Sequence, residues 1–287
     1  MQTNWEKVLS DSRLISLPEV YLKLQQLLAD DDYSLNDIAQ VIGFDPAITA
    51  RLLRMVNSSF FGLAASIETV SRAINYLGAQ QVHDLVLSTS IAQTFSDMNN
   101  PAFNLHRFWQ KSIYCAIAAR ELAVLCNVLD SERLFVIGLL HDIGHLMMRQ
   151  SIPELTQQSE ELAVQKKLPL HLCERQHIGF DFSAIGAELL KNWNLPETLT
   201  ETIKYQLEPE RSENLLLETS ILHIAAELAR TFNEELLVDE ALTQINSHAI
   251  SVTDINIDQL MAADRKAQNN LNTVTRLLFP QLKVANF

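Results

Sequence analysis

Apolar side chains recur at helical spacing along nearly the whole of this 287-residue chain. Val20, Leu24, Leu27 and Leu28 fall at i, i+4, i+7 and i+8, with Ser16 as a cap and Pro18 in the first turn. Ser34-Leu35-Asn36-Asp37 has the shape of a capping box, ahead of Ile38, Val41 and Ile42. Gly43 reads as the end of that helix, and Asp45-Pro46 as the start of another through Leu52, Leu53 and Val56. Further helices are expected over 69–77, closed by Gly78, and over 80–95, 106–127, 131–149, 153–167, 183–193, 197–206, 215–232 and 257–279. Only 7 glycines and 8 prolines are available for turns, and no stretch sustains the period of two that strands need. Val252 and Ile255 are too few to argue a sheet. The expected fold class is all-α.

With 47% hydrophobic residues the chain can bury a sizeable core, and its length suits one large domain or two lobes. The polar stretch Asp97-Met98-Asn99-Asn100-Pro101 is the natural boundary, dividing a lobe over 1–98 from one over 99–287. The formal net charge of −13 works against non-specific attraction to nucleic acid or anionic lipid, and no Lys/Arg run offsets it. Met1 to Glu6 lack the basic start and apolar stretch of a signal peptide. The most apolar segment, Leu134 to Leu140, is far shorter than the ~20 residues that span a bilayer. Cys115, Cys126 and Cys173 are an odd number without metal-knuckle spacing and read as free thiols. A cytoplasmic protein is expected, with neither membrane nor nucleic acid as partner.

Ser34 to Met55 places two short helices around Gly43, as a helix-turn-helix does. A DNA reader needs hydrogen-bond donors at the start of its second helix to reach base edges. That start is Asp45-Pro46-Ala47-Ile48, acidic and apolar, and Arg51 and Arg54 come later. Two packed core helices are the expected reading, with a transcription regulator as an alternative.

Gly138-Leu139-Leu140-His141-Asp142-Ile143-Gly144-His145 is the most informative string. A divalent metal that activates water for phosphoester hydrolysis needs imidazole nitrogens and carboxylate oxygens converging on it. The adjacent His141 and Asp142 supply two such ligands, and two alone do not make a site. The segment resembles the motif of the HD metal-dependent phosphohydrolases, whose pattern adds a His on an earlier helix, an Asp on a later one, and further histidines between. Matched by local context, those positions have changed here. Trp109-Gln110-Lys111-Ser112 puts Lys111 at the first His, and Asp181-Phe182-Ser183 puts Phe182 at a later one. Tyr205 and Gln206 stand where paired histidines are expected after Trp193-Asn194-Leu195-Pro196. Ala226, in His223-Ile224-Ala225-Ala226, replaces the last Asp. An ammonium repels a cation, and phenylalanine and alanine cannot ligate. Active relatives often carry Lys where His145 stands, so the pattern departs there too.

The segment before the motif carries a second resemblance. Leu17-Pro18-Glu19-Val20, Ile38 to Ile42, Asp45 to Arg54, Asn57-Ser58-Ser59-Phe60-Phe61-Gly62, Ile67, Ala73-Ile74 and Leu77-Gly78 are similar to the HDOD family, a degenerate relative of the HD phosphohydrolases. The likeness runs over roughly 14–230. It implies a two-lobed all-α fold with a C-terminal HD-like helical bundle. It also implies a non-enzymatic module for signal transduction that binds a signalling protein or a small ligand, with no catalytic residue, metal or cofactor. A metal-dependent phosphohydrolase or phosphodiesterase with a rearranged site is the alternative.

His141, Asp142 and His145 then admit three readings: a structural role across a helix interface, an anion or metabolite in a vestigial pocket, or residual metal chemistry. His83, His106, His171, His177, His223 and His248 show no mutual ligand spacing, and His171, Cys173 and His177 fall in a polar, exposed turn. Asn57-Ser58-Ser59 reads either as a capped helix end or as a contact surface.

Overall fold

The computed structural model describes residues 3–12, 17–30, 32–63, 66–95, 104–234 and 243–280, and every regular element among them is helical. The helices are α1 (Asn4–Ser12), α2 (Glu19–Leu28), α3 (Leu35–Gly43), α4 (Pro46–Val56), α5 (Val70–Leu77), α6 (Ala79–Thr94), α7 (Leu105–Leu125) and α8 (Ser131–Leu140). They continue as α9 (Ile143–Ser151), α10 (Pro153–Lys166), α11 (Leu170–His177), α12 (Phe182–Asn192), α13 (Glu197–Tyr205), α14 (Leu216–Glu234), α15 (Ser247–Thr253) and α16 (Ile257–Leu278). A 3-10 turn, Pro209–Arg211, follows α13. Among the described residues no helix is long and apolar enough to cross a membrane.

The chain forms two compact units, each assembled from two stretches. The first takes Met1–Ser16 and Ile137–Asn256, the second Leu17–Val136 and Ile257–Phe287. The division expected at 98/99 lies in 96–103, outside the described residues, and the units change over inside α8. Packing explains the difference. α16 lies along α7 and also touches α4 and α6, so α7 belongs with the N-terminal helices.

Within the second unit, Trp109 of α7 is fully buried with its ring 4.4 Å from that of Phe279, and the Tyr114 hydroxyl donates to buried Asp264. Arg120 is held from several sides. Its Nε donates to Glu132 (2.7 Å) and its Nη1 to Glu121 (3.1 Å), while the guanidinium lies 4.6 Å from the Phe60 ring centre. Burial pushes the Glu132 carboxyl above its ordinary range, and Arg120 pulls against that rise. Asn57 ends α4 and clasps the loop behind it: its amide donates to Leu53 O and Ile67 O and accepts from Ile67 N.

The helix-turn-helix lookalike is built into this unit's core. Ser34 and Asp37 form the expected capping box, and the Asp45 carboxylate accepts from Ala47 N and Ile48 N at the head of α4. Ile38, Ile42, Ile48, Leu52, Met55 and Val56 are fully buried. Gly43 is the last residue of α3, and the chain leaves through Phe44 in an ordinary right-handed conformation. Gly78 closes α5 at φ +95°, where an L side chain would be strained.

The helix expected over 131–149 is two helices, α8 and α9. It breaks at His141 and Asp142, because Asp142 at φ −108°, ψ 7° leaves helical geometry and heads α9. α9 then crosses α12 at unusually close range. A Cβ on Gly144 would stand 1.9 Å from the Phe182 carbonyl oxygen and 2.8 Å from Gly186 N. Hydrogen is the only substituent that fits. α1 packs on both of these helices, burying Val8 and setting Trp5 edge-on against Phe180. Gly144→Ala should therefore destabilise the protein by about 1–3 kcal/mol through overpacking. Gly43→Ala, where a Cβ meets open space, is the control. Thermal unfolding of both variants checks the contrast: a marked fall for the first, little change for the second.

Candidate functional site

The turn after α8 delivers His141 and Asp142 into the interior of the first unit, 2% and 4% exposed. His141 Nδ1 donates back to Gly138 O at 2.7 Å, and the backbone carbonyl of His141 accepts from Gln206 Nε2 at 2.8 Å. The same Gln206 nitrogen reaches Ile203 O (3.0 Å), which fixes the amide and leaves Oε1 buried with no donor opposite it. Gln206 thus clamps the turn. His223 secures Gln206 in its place, donating from Nδ1 to Gln206 O (2.8 Å) and accepting at Nε2 from Asn246 N (3.0 Å).

His145 is the centre of the arrangement. Its Nδ1 is hydrogen-bonded to Asp142 Oδ1 and its Nε2 to Glu174 Oε1, the latter at 2.9 Å. Glu174 is fully buried, and its second oxygen accepts from Phe182 N at 3.2 Å. The Phe182 ring lies stacked on the imidazole, 4.0 Å between centres and 19° between planes. Burial alone would lower the His145 pKa, but Asp142 and Glu174 outweigh it and hold the value up to about 9.

Around this core runs a second ionic belt. Arg175 of α11 pairs with Asp181 and, at 2.6 Å, with Glu208. Asp181 is the N-cap of α12, accepting from Ala184 N and from Ser183 Oγ. Burial, and after it the neighbouring Arg175, lower the His171 pKa.

The structure therefore brings together five of the residues singled out from sequence: His141, Asp142, His145, Phe182 and Gln206. Tyr205 packs instead with Lys204 and Arg211, whose charged groups lie 5.0 and 5.6 Å from its ring centre. Ala226 is half-buried on α14, and Lys111 is half-buried on α7 of the second unit. Sequence reasoning missed Glu174. His171, Cys173 and His177 lie on helix α11, not in an exposed turn, with Cys173 and Glu174 fully buried. The missed signal is the Cys173–Glu174 pair within Leu170–His177, too short a segment to display a period.

A divalent metal would need several nitrogen or oxygen lone pairs aimed at one point. The donors present do not fit that need. Both nitrogens of His145 face carboxylates, Nδ1 of His141 faces a carbonyl, and Phe182 and Ala226 offer nothing. Among the described residues no group of three or more His, Cys, Asp or Glu side chains could hold a metal ion.

The charged state of His145 links the site to stability. The ring's ordinary value is 6.5 and its folded value about 9, so folding favours the protonated form. That contribution is complete below pH 6.5 and is lost as the pH rises through about 9. At about 1.4 kcal/mol per unit it is on the order of 3 kcal/mol. The melting temperature of the wild type should fall across this window, and that of His145→Gln should fall much less. Parallel slopes in a pH series of thermal melts would contradict the assignment.

Comparison with known proteins bears on the family and the fold. The model of the HDOD domain matches residues 14–209. An uncharacterized protein from Treponema pallidum (strain Nichols) is 26% identical over 190 residues, which is 66% of this chain and 36% of that protein. The chain thus spans about a third of the length of this relative. Among solved structures, an HDOD domain protein with unknown function from Geobacter sulfurreducens matches with a TM-score of 0.73 at 22% identity, over 92% of this chain and 93% of its own. A provisionally named phosphohydrolase from Shewanella amazonensis SB2B matches with a TM-score of 0.72 at 24% identity, over 95% and 97%. At these identities the likeness is one of fold.

Proposed function

The chain belongs to the HDOD domain family, and from that premise we propose that it is a non-catalytic signal-transduction module of the bacterial cytoplasm, acting by binding a partner protein or a small ligand. The observation that carries this reading is the stacking of Phe182 on His145. Where the phosphohydrolase pattern would bring a further ligand, a hydrocarbon ring is packed face to face on an imidazole that both neighbouring carboxylates already engage. Neither nitrogen of His145 and no atom of the Phe182 ring is left to polarise a phosphoester or lower the pKa of a water. The phosphohydrolase name attached to the Shewanella protein is that protein's own and is set against this reading by experiment.

Protein purified without chelator should carry well under one transition metal per chain by elemental analysis. With mono-, di- and cyclic nucleotides plus Mn²⁺ or Mg²⁺, no turnover should approach about 1 per second, the low end of ordinary enzymes. Dialysis-resistant stoichiometric metal, together with hydrolysis abolished by His141→Ala, would restore the enzyme reading.

A further inference from the structure

We propose that Asp142, Glu174 and Phe182 form a receptor for a planar, delocalised cation, and that His145 is its tethered occupant. The inference deepens the non-catalytic reading and rests on it, since a pocket filled by its own side chain does not also hold a metal.

The geometry carries it. Asp142 Oδ1 lies at one ring nitrogen and Glu174 Oε1 at the other, and both act on the ring as charges that hold its pKa up to about 9, so the ring donates from both. A ring that donates twice is an imidazolium. The remaining wall is aromatic: Phe182 presents its face at 4.0 Å and nearly parallel, the arrangement in which a ring quadrupole attracts a flat cation. A divalent ion gains nothing from a hydrocarbon wall.

The wall and one carboxylate are also positioned by each other. Glu174 Oε2 accepts from the backbone N–H of Phe182, so the residue that covers the imidazolium also orients the carboxylate that binds it. Glu174 is completely buried and His145 is 8% exposed, so bulk water does little to weaken the charge pairing. Two acceptors in the plane and an aromatic face above describe a site for imidazolium or guanidinium, not for a sphere.

The test empties the receptor and offers it a free occupant. In the 287-residue chain carrying His145→Ala the melting temperature should drop by several degrees, and imidazolium chloride at tens of millimolar, near pH 6.5, should recover most of the loss by mass action. The same concentration should leave the wild type within about a degree, because its receptor is full. Sodium chloride at matched ionic strength and toluene, a neutral ring, should not rescue. Failure of imidazolium to rescue the folded variant overturns the proposal, and if elemental analysis of the wild type is still negative the non-catalytic reading survives that failure. Rescue by Mn²⁺ in place of imidazolium overturns the proposal and reopens the metal reading as well. Should His145→Ala not fold, ¹⁵N NMR of the wild-type imidazole decides. Protons on both ring nitrogens of His145 at neutral pH support the receptor, and a proton on only one rejects it.

Discussion

The close crossing of α9 over α12 sets the rest of the first unit. With no Cβ at position 144, the α9 backbone rests against the carbonyl of Phe182. That approach places His145, the next residue, within stacking distance of the Phe182 ring. It also brings the Phe182 N–H to Glu174 and so draws α11 into the same cluster. One missing methyl thus brings three helices to a common point. α1 then covers the back of the same pair of helices.

What that crossing encloses is unusual for a hydrophobic interior: two carboxylates and a histidine among fully buried side chains. Isolated charges there would be prohibitive, and the cluster is tolerable because each partner satisfies the others. The outer belt repeats the theme nearer the surface: Asp181 is buried, but Arg175 and Glu208 are each about a third exposed, where solvent weakens their pairing. The inner cluster specifies one arrangement of α9, α11 and α12, since a rotation of any of them leaves a buried charge uncompensated. Arg120 has a comparable place in the second unit, joining Glu121, Glu132 and the Phe60 ring.

Most of the helical architecture was legible because burial imposes a period. The capping box at Ser34, the Asp45 cap and the turn at Gly78 follow from local chemistry. The break at His141–Asp142 was not legible, because apolar residues continue on either side and neither turn position is a Gly or Pro. The course of the units was hidden for another reason: α7 is claimed by α16, more than a hundred residues later, and local pattern holds no trace of such a partner. In the site, the replaced positions could be read one by one. That Phe182 would stack on His145, and that Glu174 would complete the pair, depended on the α9–α12 crossing and on α11, an eight-residue helix.

The three tryptophans divide between the units in a way that makes each unit optically separable. Trp109, enclosed beside Phe279, belongs to the second unit, while Trp5 and Trp193 belong to the first. In a chain with Phe at positions 5 and 193, tryptophan emission would come only from the second unit. In one with Phe at 109 it would come only from the first, where Trp5 sits at the edge of Phe180 on the short helix α1. Fluorescence can then follow the loosening of α1 apart from the melting of the α7–α16 core, giving a partner or ligand of either unit its own signal.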